Sequence, residues 1–254
     1  MIKQDQYKTA IVAGKRLSKL IEKVHDKIKI GISAEEIDKY IHSRIIKNGD
    51  FPAFLNYKGF PKSSCISFNE EVVHGIPSKR QVKNGDLVSV DIGLKHNGII
   101  VDASFTIGIG NISKIEEKMI KTCQKALSIA ELEIQTNKRT GDMGNAIERF
   151  VCLSGFEVIK AYCGHGIGEK LHMPPHLPNF GKIGTGEDFM PGQMLAVEPM
   201  IVKADGSVYV DKNGWTVKSQ NNNKSAHFET TYLLTEAGLK DLVPCVKKLK
   251  IIAN

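Results

Sequence analysis

Apolar residues recur at a helical period between residues 7 and 28, where Ala13, Leu17, Leu20, Ile21, Val24 and Ile28 share one face. Gly31 ends that run. Ser33, followed three residues later by Glu36, has the form of a capping box, in which each side chain satisfies the other residue's backbone N–H. It predicts a second helix with Ile37, Tyr40, Ile41 and Ile45 inward, ending near Asn48-Gly49. The pattern then shortens to β-type stretches at 65–68, 87–93 and 99–107. Asn97-Gly98, between the last two, is a strong hairpin signal. Ser113 and Glu116 open a third helix over roughly 114–133. A fourth runs from about Asp142 to Leu153. Strands follow near 156–162, 194–202 and 227–234.

The second half echoes the first. One helix ends at Asn48-Gly49 and is followed by Tyr57-Lys58-Gly59; another ends at Ser154-Gly155 and is followed by Tyr162-Cys163-Gly164. This predicts a single domain over 1–254 with an internal duplication near 1–135 and 136–254, and a site at the join. Chance is the alternative, because helix-Gly-strand is a common order.

The hairpin carries the sharpest chemical inference. Val88, Val90 and Ile92 lie on one face of their strand and Asp91 on the other. A loop at His96-Asn97 pairs Asp91 with Asp102; a loop at Asn97-Gly98 pairs Asp91 with Ser104. Both registers leave the two carboxylates on one face. Like charges on adjacent strands cost stability unless a cation sits between them. Two solvated acids on an exposed sheet are the plain alternative, but Ile99, Ile100, Val101 and Phe105 flank the second acid.

Further acids and imidazoles sit in similar settings. Glu198 interrupts MLAVEPMIV, and Glu229 lies in AHFETTYLL. A carboxylate in such surroundings is expensive unless paired or bound to metal. His165 lies between glycines in CGHGIG, and His172 follows in KLHMPP. Each alone reads equally well as a hydrogen-bonded core group. Together they form an oxygen-rich set with some imidazole, suited to two divalent ions such as Mn, Fe or Co, with Zn also admissible.

Composition narrows the function classes. With 41% hydrophobic residues, 254 residues suffice for a sizeable core. Five cysteines without a C-x-x-C spacing argue against a disulfide scaffold or a Cys-rich zinc module and favour a reducing cytoplasm. The N-terminal segment lacks the apolar stretch of a signal peptide, and no apolar run is long enough to span a membrane. The G-x-G fragments lack the context of a dinucleotide site, and G-x-S-x-G is absent. Cys163 next to Gly164-His165 invites a Cys-His nucleophile, but cysteine is a common small core residue.

The stretches YKGFPKSSCISFNEEVVHGIP, VDIG with DAS, YCGHGIGEKLH, AVEPM, NGWTV and FETT occur in this order. In combination they resemble type I methionine aminopeptidases, and the likeness runs from about residue 5 to 243. The resemblance implies the pseudo-twofold pita-bread fold, an α/β (α+β) single domain with a central curved antiparallel sheet flanked by helices. It implies removal of the N-terminal methionine of nascent chains when the second residue is small, by attack of a metal-bridging hydroxide. Asp91, Asp102, His165, Glu198 and Glu229 resemble the metal ligands, with Asp102 and Glu229 bridging. Glu198 also resembles the proton shuttle. His74 resembles the residue contacting the amide beyond the scissile bond, and His172 the one contacting the scissile carbonyl.

Phe54, Tyr57, Phe60, Leu171 and Trp215 resemble the walls of the methionine pocket. Phe54 stands where Cys is frequent, Phe60 where Tyr is common, Leu171 where Phe is usual and Met173 where Glu is usual. None of these departures removes an expected ligand. Proline-specific peptidases of the same superfamily carry an additional N-terminal domain, and type II aminopeptidases carry an insertion before the Glu corresponding to Glu198. Type I therefore fits better. A catalytically dead binding relative is the rival of another class, and all five expected ligands argue against it.

The net charge is +7, from 35 Lys and Arg against 28 Asp and Glu. With the basic first helices this suggests electrostatic contact with the ribosome, a solubilising surface being the equal alternative. A monomer is expected, with no membrane and no dinucleotide partner.

Overall fold

Asn97 and Gly98 both hold positive φ (44° and 89°), as a two-residue hairpin turn requires. They bring β4 (Leu87–His96) against β5 (Ile99–Ile109) from His96↔Ile99 inward. This computed structural model describes residues 1–253. Before the hairpin come α1 (Tyr7–His25), α2 (Ala34–Lys47), β1 (Phe51–Pro52), β2 (Ser64–Phe68) and β3 (Glu71–Val73). After it come α3 (Lys114–Glu133), α4 (Thr140–Leu153), β6 (Glu157–Val158), β7 (Gly164–Ile167) and β8 (Met173–Leu177). The chain continues through β9 (Met194–Val197), β10 (Met200–Val202), β11 (Val208–Val210), β12 (Val217–Ser219) and β13 (Ser225–His227). It closes with β14 (Thr230–Thr235), β15 (Gly238–Asp241) and β16 (Ile252–Ala253).

The helices form where their caps and apolar faces place them. Ser33 Oγ accepts from the Glu36 N–H at 3.2 Å, and the Ser33 N–H donates to Glu36 Oε2 at 2.9 Å. Ser113 and Glu116 repeat the arrangement. Each such cap stabilises its helix by about 1 kcal/mol. Along α1, Ala13, Leu17, Leu20, Ile21 and Val24 are buried as the periodicity predicts. The helix stops at His25, short of the expected end near 28, and Ile28 is buried within the following turn.

β1 and β2 both pair with β4, β4 with β5, and β16 with β5. A second five-stranded sheet has the order β15-β14-β9-β7-β8. Two smaller sheets, β13-β10-β6 and β11-β12-β3, complete the β-structure. The pairings are antiparallel except β5–β16, which is parallel. Phe105 stacks against His25 at 5.6 Å between ring centroids, so the Val90/Phe105 face of the hairpin looks toward the helices. The opposite face carries Asp91 and Asp102.

Two expected strands are broken. The run 194–202 divides into β9 and β10 at Glu198-Pro199, and the run 227–234 divides into β13 and β14 at Phe228-Glu229. At both breaks the chain crosses between the small sheet containing β10 and β13 and the larger sheet containing β9 and β14, leaving the larger sheet at the first and returning to it at the second. The strand expected over 156–162 is confined to Glu157–Val158. The two large sheets meet where Ser104 and Glu229 exchange backbone hydrogen bonds of 3.2 and 3.0 Å.

Candidate active site

The hairpin register pairs Asp91 with Ser104 and Gly93 with Asp102. Of the two registers open to the sequence, the Asn97-Gly98 loop is the one formed. Asp91 and Asp102 therefore sit diagonally on one face. Asp102 is fixed by Thr231, whose hydroxyl accepts from the Asp102 N–H at 3.1 Å and donates to the Asp102 carbonyl at 2.7 Å. Glu229 and Glu198 enter from the two strand breaks. Asn179 Nδ2 donates to the Glu198 carbonyl at 2.9 Å, and Cys123 Sγ to the Pro199 carbonyl at 3.1 Å, which hold the Glu198-Pro199 break in place.

His165 comes from β7, a strand that only glycines can occupy this tightly. A Cβ at Gly164 would lie 2.3 Å from the Ala196 carbonyl oxygen, and one at Gly166 would lie 2.1 Å from that of Pro174. Asp102, His165 and Glu229 offer ligand atoms all within 4.8 Å of one another. His165 Nε2 lies 3.8 Å from Asp102 Oδ2 and 3.7 Å from Glu198 Oε1.

The tautomer of His165 follows from its other nitrogen. Nδ1 lies 2.9 Å from the Gly166 carbonyl oxygen, which can only accept. Nδ1 therefore carries the ring proton and Nε2 turns a lone pair toward the carboxylates. Burial first, then neighbouring acids, push Asp91 and Glu198 well above the usual carboxylate range; Glu229 follows for the same reasons. Burial raises Asp102 to about 7 and lowers His165 to about 3. Asp91 Oδ1 is buried without a hydrogen-bond partner. A lone pair and four crowded acids around an orphaned oxygen are costly unless a cation joins them. The set fits divalent metal.

The acids form the floor of a cavity of about 220 Å³. Phe54, Tyr57, Phe60, Leu171 and Trp215 line its apolar part. Phe60 meets Trp215 edge-on at 5.2 Å, and Phe54 packs over Gly93, where a Cβ would come within 2.6 Å of its ring. His172 Nδ1 lies 2.8 Å from the Tyr57 hydroxyl, and its ring centroid 4.2 Å from that of His165. A second space of about 390 Å³ is lined by Tyr162, Cys163, Met173 and His176. His74, His165, His172 and Glu198 border both spaces. His74 holds φ at +59°, which is uncommon outside glycine. Burial lowers it to about 4; burial, then Lys58, lowers His172.

All twelve side chains singled out in the sequence line this one cavity. Sequence reasoning did not single out His227, Thr231, Asn179 or Lys58. His227 and Thr231 flank Glu229 at two residues on either side, a spacing that could have flagged them. Cys65 pairs across the sheet with Asp91 and lines the same cavity. Cys163 instead faces His176, with Sγ 3.9 Å from its Nδ1.

Comparison with known proteins is consistent with this geometry. The metallopeptidase family M24 model matches residues 10–236. A methionine aminopeptidase from Clostridium perfringens is 38% identical over 226 residues, covering 89% of this chain and 91% of that protein. Methionine aminopeptidase 1 of Bacillus subtilis matches with the same identity and coverage. The crystal structure of methionine aminopeptidase from Thermotoga maritima superposes with a TM-score of 0.92 at 36% identity, covering 96% of this chain and 99% of that one.

Proposed function

The chain belongs to metallopeptidase family M24, and from that premise we infer that it is a metal-dependent aminopeptidase that removes N-terminal methionine from polypeptides. The observation that carries the reading is the His165 lone pair turned toward the carboxylates of Asp102 and Glu198 at the foot of an apolar pocket. Asp91, Asp102, His165, Glu198 and Glu229 would hold up to two divalent ions. Mn, Fe or Co suit the donor set, and Zn is admissible. When bound, the ions supply Lewis acidity and lower the pKa of coordinated water.

The remaining work falls to the chain's own groups. The apolar pocket takes the first side chain, and an unbranched thioether adapts to its irregular aromatic walls. Its five apolar walls carry no charge to pair with a lysine or arginine side chain, so desolvation penalises a cationic first residue. The free α-amine approaches Asp91. The Tyr57 hydroxyl donates to His172 Nδ1, which leaves the proton on Nε2 to stabilise charge developing on the scissile carbonyl. His74, at the boundary with the second space, contacts the amide beyond the scissile bond and limits the second residue to a small one. Glu198 would take up the proton released by the attacking water and pass it to the departing amine nitrogen.

The working substrates are the N-termini of nascent chains in the cytoplasm, met by a monomer. No helix among the described residues is long and apolar enough to cross a membrane. Contact with ribosomal phosphate is supported by a groove between α1 and α2 lined by Lys19, Lys23 and Arg44, beside Arg16, which is paired with Asp50.

A matched peptide series tests the reading by kcat/KM. Met-Ala starts should be cut faster than Met-Leu or Leu-Ala, with Lys-Ala and N-acetyl-Met-Ala poor. Discrimination between similar apolar first residues should be only about 1–3 kcal/mol. Preference for Xaa-Pro over Met-Ala would transfer the assignment to a proline-specific peptidase.

A further inference from the structure

His227 has no part in the reaction derived above, yet its ring borders the reacting centre. It ends β13 and is 2% exposed. Its backbone is clamped on both sides by Thr106. The His227 N–H donates to Thr106 Oγ1 at 2.8 Å, and the same hydroxyl donates to the His227 carbonyl at 2.8 Å. Ring Nε2 is buried without a hydrogen-bond partner. It faces Glu198 Oε2 at 3.6 Å, while His165 Nε2 faces Glu198 Oε1 at 3.7 Å. The Glu198 carboxylate thus lies between two buried imidazoles, one on each oxygen.

We propose that these imidazoles hold opposite tautomers: His165 presents a lone pair, and His227 carries its proton on Nε2 and donates it to Glu198 Oε2. His165 is committed by the Gly166 carbonyl at Nδ1. A lone pair on His227 would set two acceptors face to face in a dry site. A proton there pairs the orphaned nitrogen with an ionised carboxylate, the stronger class of hydrogen bond. Closure by roughly 0.6 Å reaches ordinary N–H···O length. With Oε2 so engaged, Oε1 is the oxygen left beside His165. His227 is therefore a positioning residue, acting on the reaction through Glu198. The proposal rests on the reading of Glu198 as a metal ligand.

The test uses full-length enzyme, ¹⁵N-labelled at histidine and loaded with Zn(II). In two-dimensional ring-nitrogen spectra, His227 Nε2 should be of the protonated, pyrrole type and His165 Nε2 of the metal-bound type. In parallel, chelator-stripped His227→Gln and His227→Phe proteins are titrated calorimetrically with Mn(II). Loss of a carboxylate's orienting partner typically weakens metal binding 10–100-fold, and His227→Phe should show a loss of that size. His227→Gln keeps an N–H donor and should recover most of it. In Mn(II)-saturated enzyme, His227→Phe should lower kcat with little change in KM.

An unprotonated His227 Nε2 would overturn the proposal, and so would wild-type Mn(II) affinity in His227→Phe. If His227→Phe fails to fold, a His227→Gln protein as impaired as a ligand deletion would also overturn it. Failure of the wild-type protein to bind Mn(II) at all would overturn the metal-site reading itself, which separates the two failures.

Discussion

Gly164→Ala tests whether the site depends on how closely β7 approaches its neighbour. A methyl at this position would lie 2.3 Å from the Ala196 carbonyl oxygen, a backbone atom that no rotamer change can move aside. Ordinary contact begins near 3.4 Å, so β7 and β9 must separate by about 1 Å. His165 is the next residue and pairs with that same Ala196. Its Nε2 is therefore displaced by a comparable distance from Asp102 and Glu198. A misplacement of about 1 Å in a reacting constellation costs about 100-fold in rate, which is about 2.7 kcal/mol in the barrier.

The assay is kcat/KM on a Met-Ala-Ser peptide at saturating Mn(II), alongside thermal melts. Gly155→Ala is the control. It has φ +86° but open space around the added carbon, so it should lose about 1–2 kcal/mol of stability and keep its activity. Wild-type kcat/KM in Gly164→Ala would refute the reasoning.

His172→Ala should lower kcat strongly with metal content nearly unchanged, whereas His165→Ala should also lower metal affinity; metal titration of both variants checks the split. Chelator-stripped protein should lose stability as pH rises above 7 through the raised pKa values of the buried acids, read by melting temperature. Asp91, Glu198 and Glu229 have folded pKa values raised above the unfolded ones, so their contribution is present at low pH and is lost as pH rises. The loss is about 1.4 kcal/mol per pH unit for each acid still protonated. The buried histidines are lowered in pKa and are neutral in both states across this window, so they add nothing to it. Added Mn(II) should remove the loss. Leu17→Ala, on the buried face of α1, should cost about 2–5 kcal/mol in chemical denaturation while leaving peptide specificity unchanged.

Local chemistry was legible wherever it is local. The capping boxes at Ser33 and Ser113 and the Asn97-Gly98 turn each act within four residues, and each marks its element correctly. The turn also leaves Asp91 and Asp102 on one face, whichever register forms. Tertiary decisions were not legible. MLAVEPMIV reads as one apolar strand because nothing in it announces a change of sheet, and the break at Glu198-Pro199 follows from which neighbours it pairs with. GHGIG lacks β-propensity, so β7 went unread. Its glycines are dictated by the Ala196 and Pro174 carbonyls, which come from elsewhere in the chain. His227 likewise matters only because the chain crosses between sheets beside Glu198. The pocket walls came from resemblance, since no periodicity links Phe54 with Trp215.

The central claim, a metal-dependent aminopeptidase built on five converging ligands, is tested most directly by one titration. Chelator-stripped enzyme receives graded Mn(II) while cleavage of Met-Ala-Ser is followed with binding in the same samples. The account predicts no cleavage in stripped enzyme and a saturable return with up to two ions bound per chain. Full cleavage by stripped enzyme, or saturation with Mn(II) without cleavage, would contradict it.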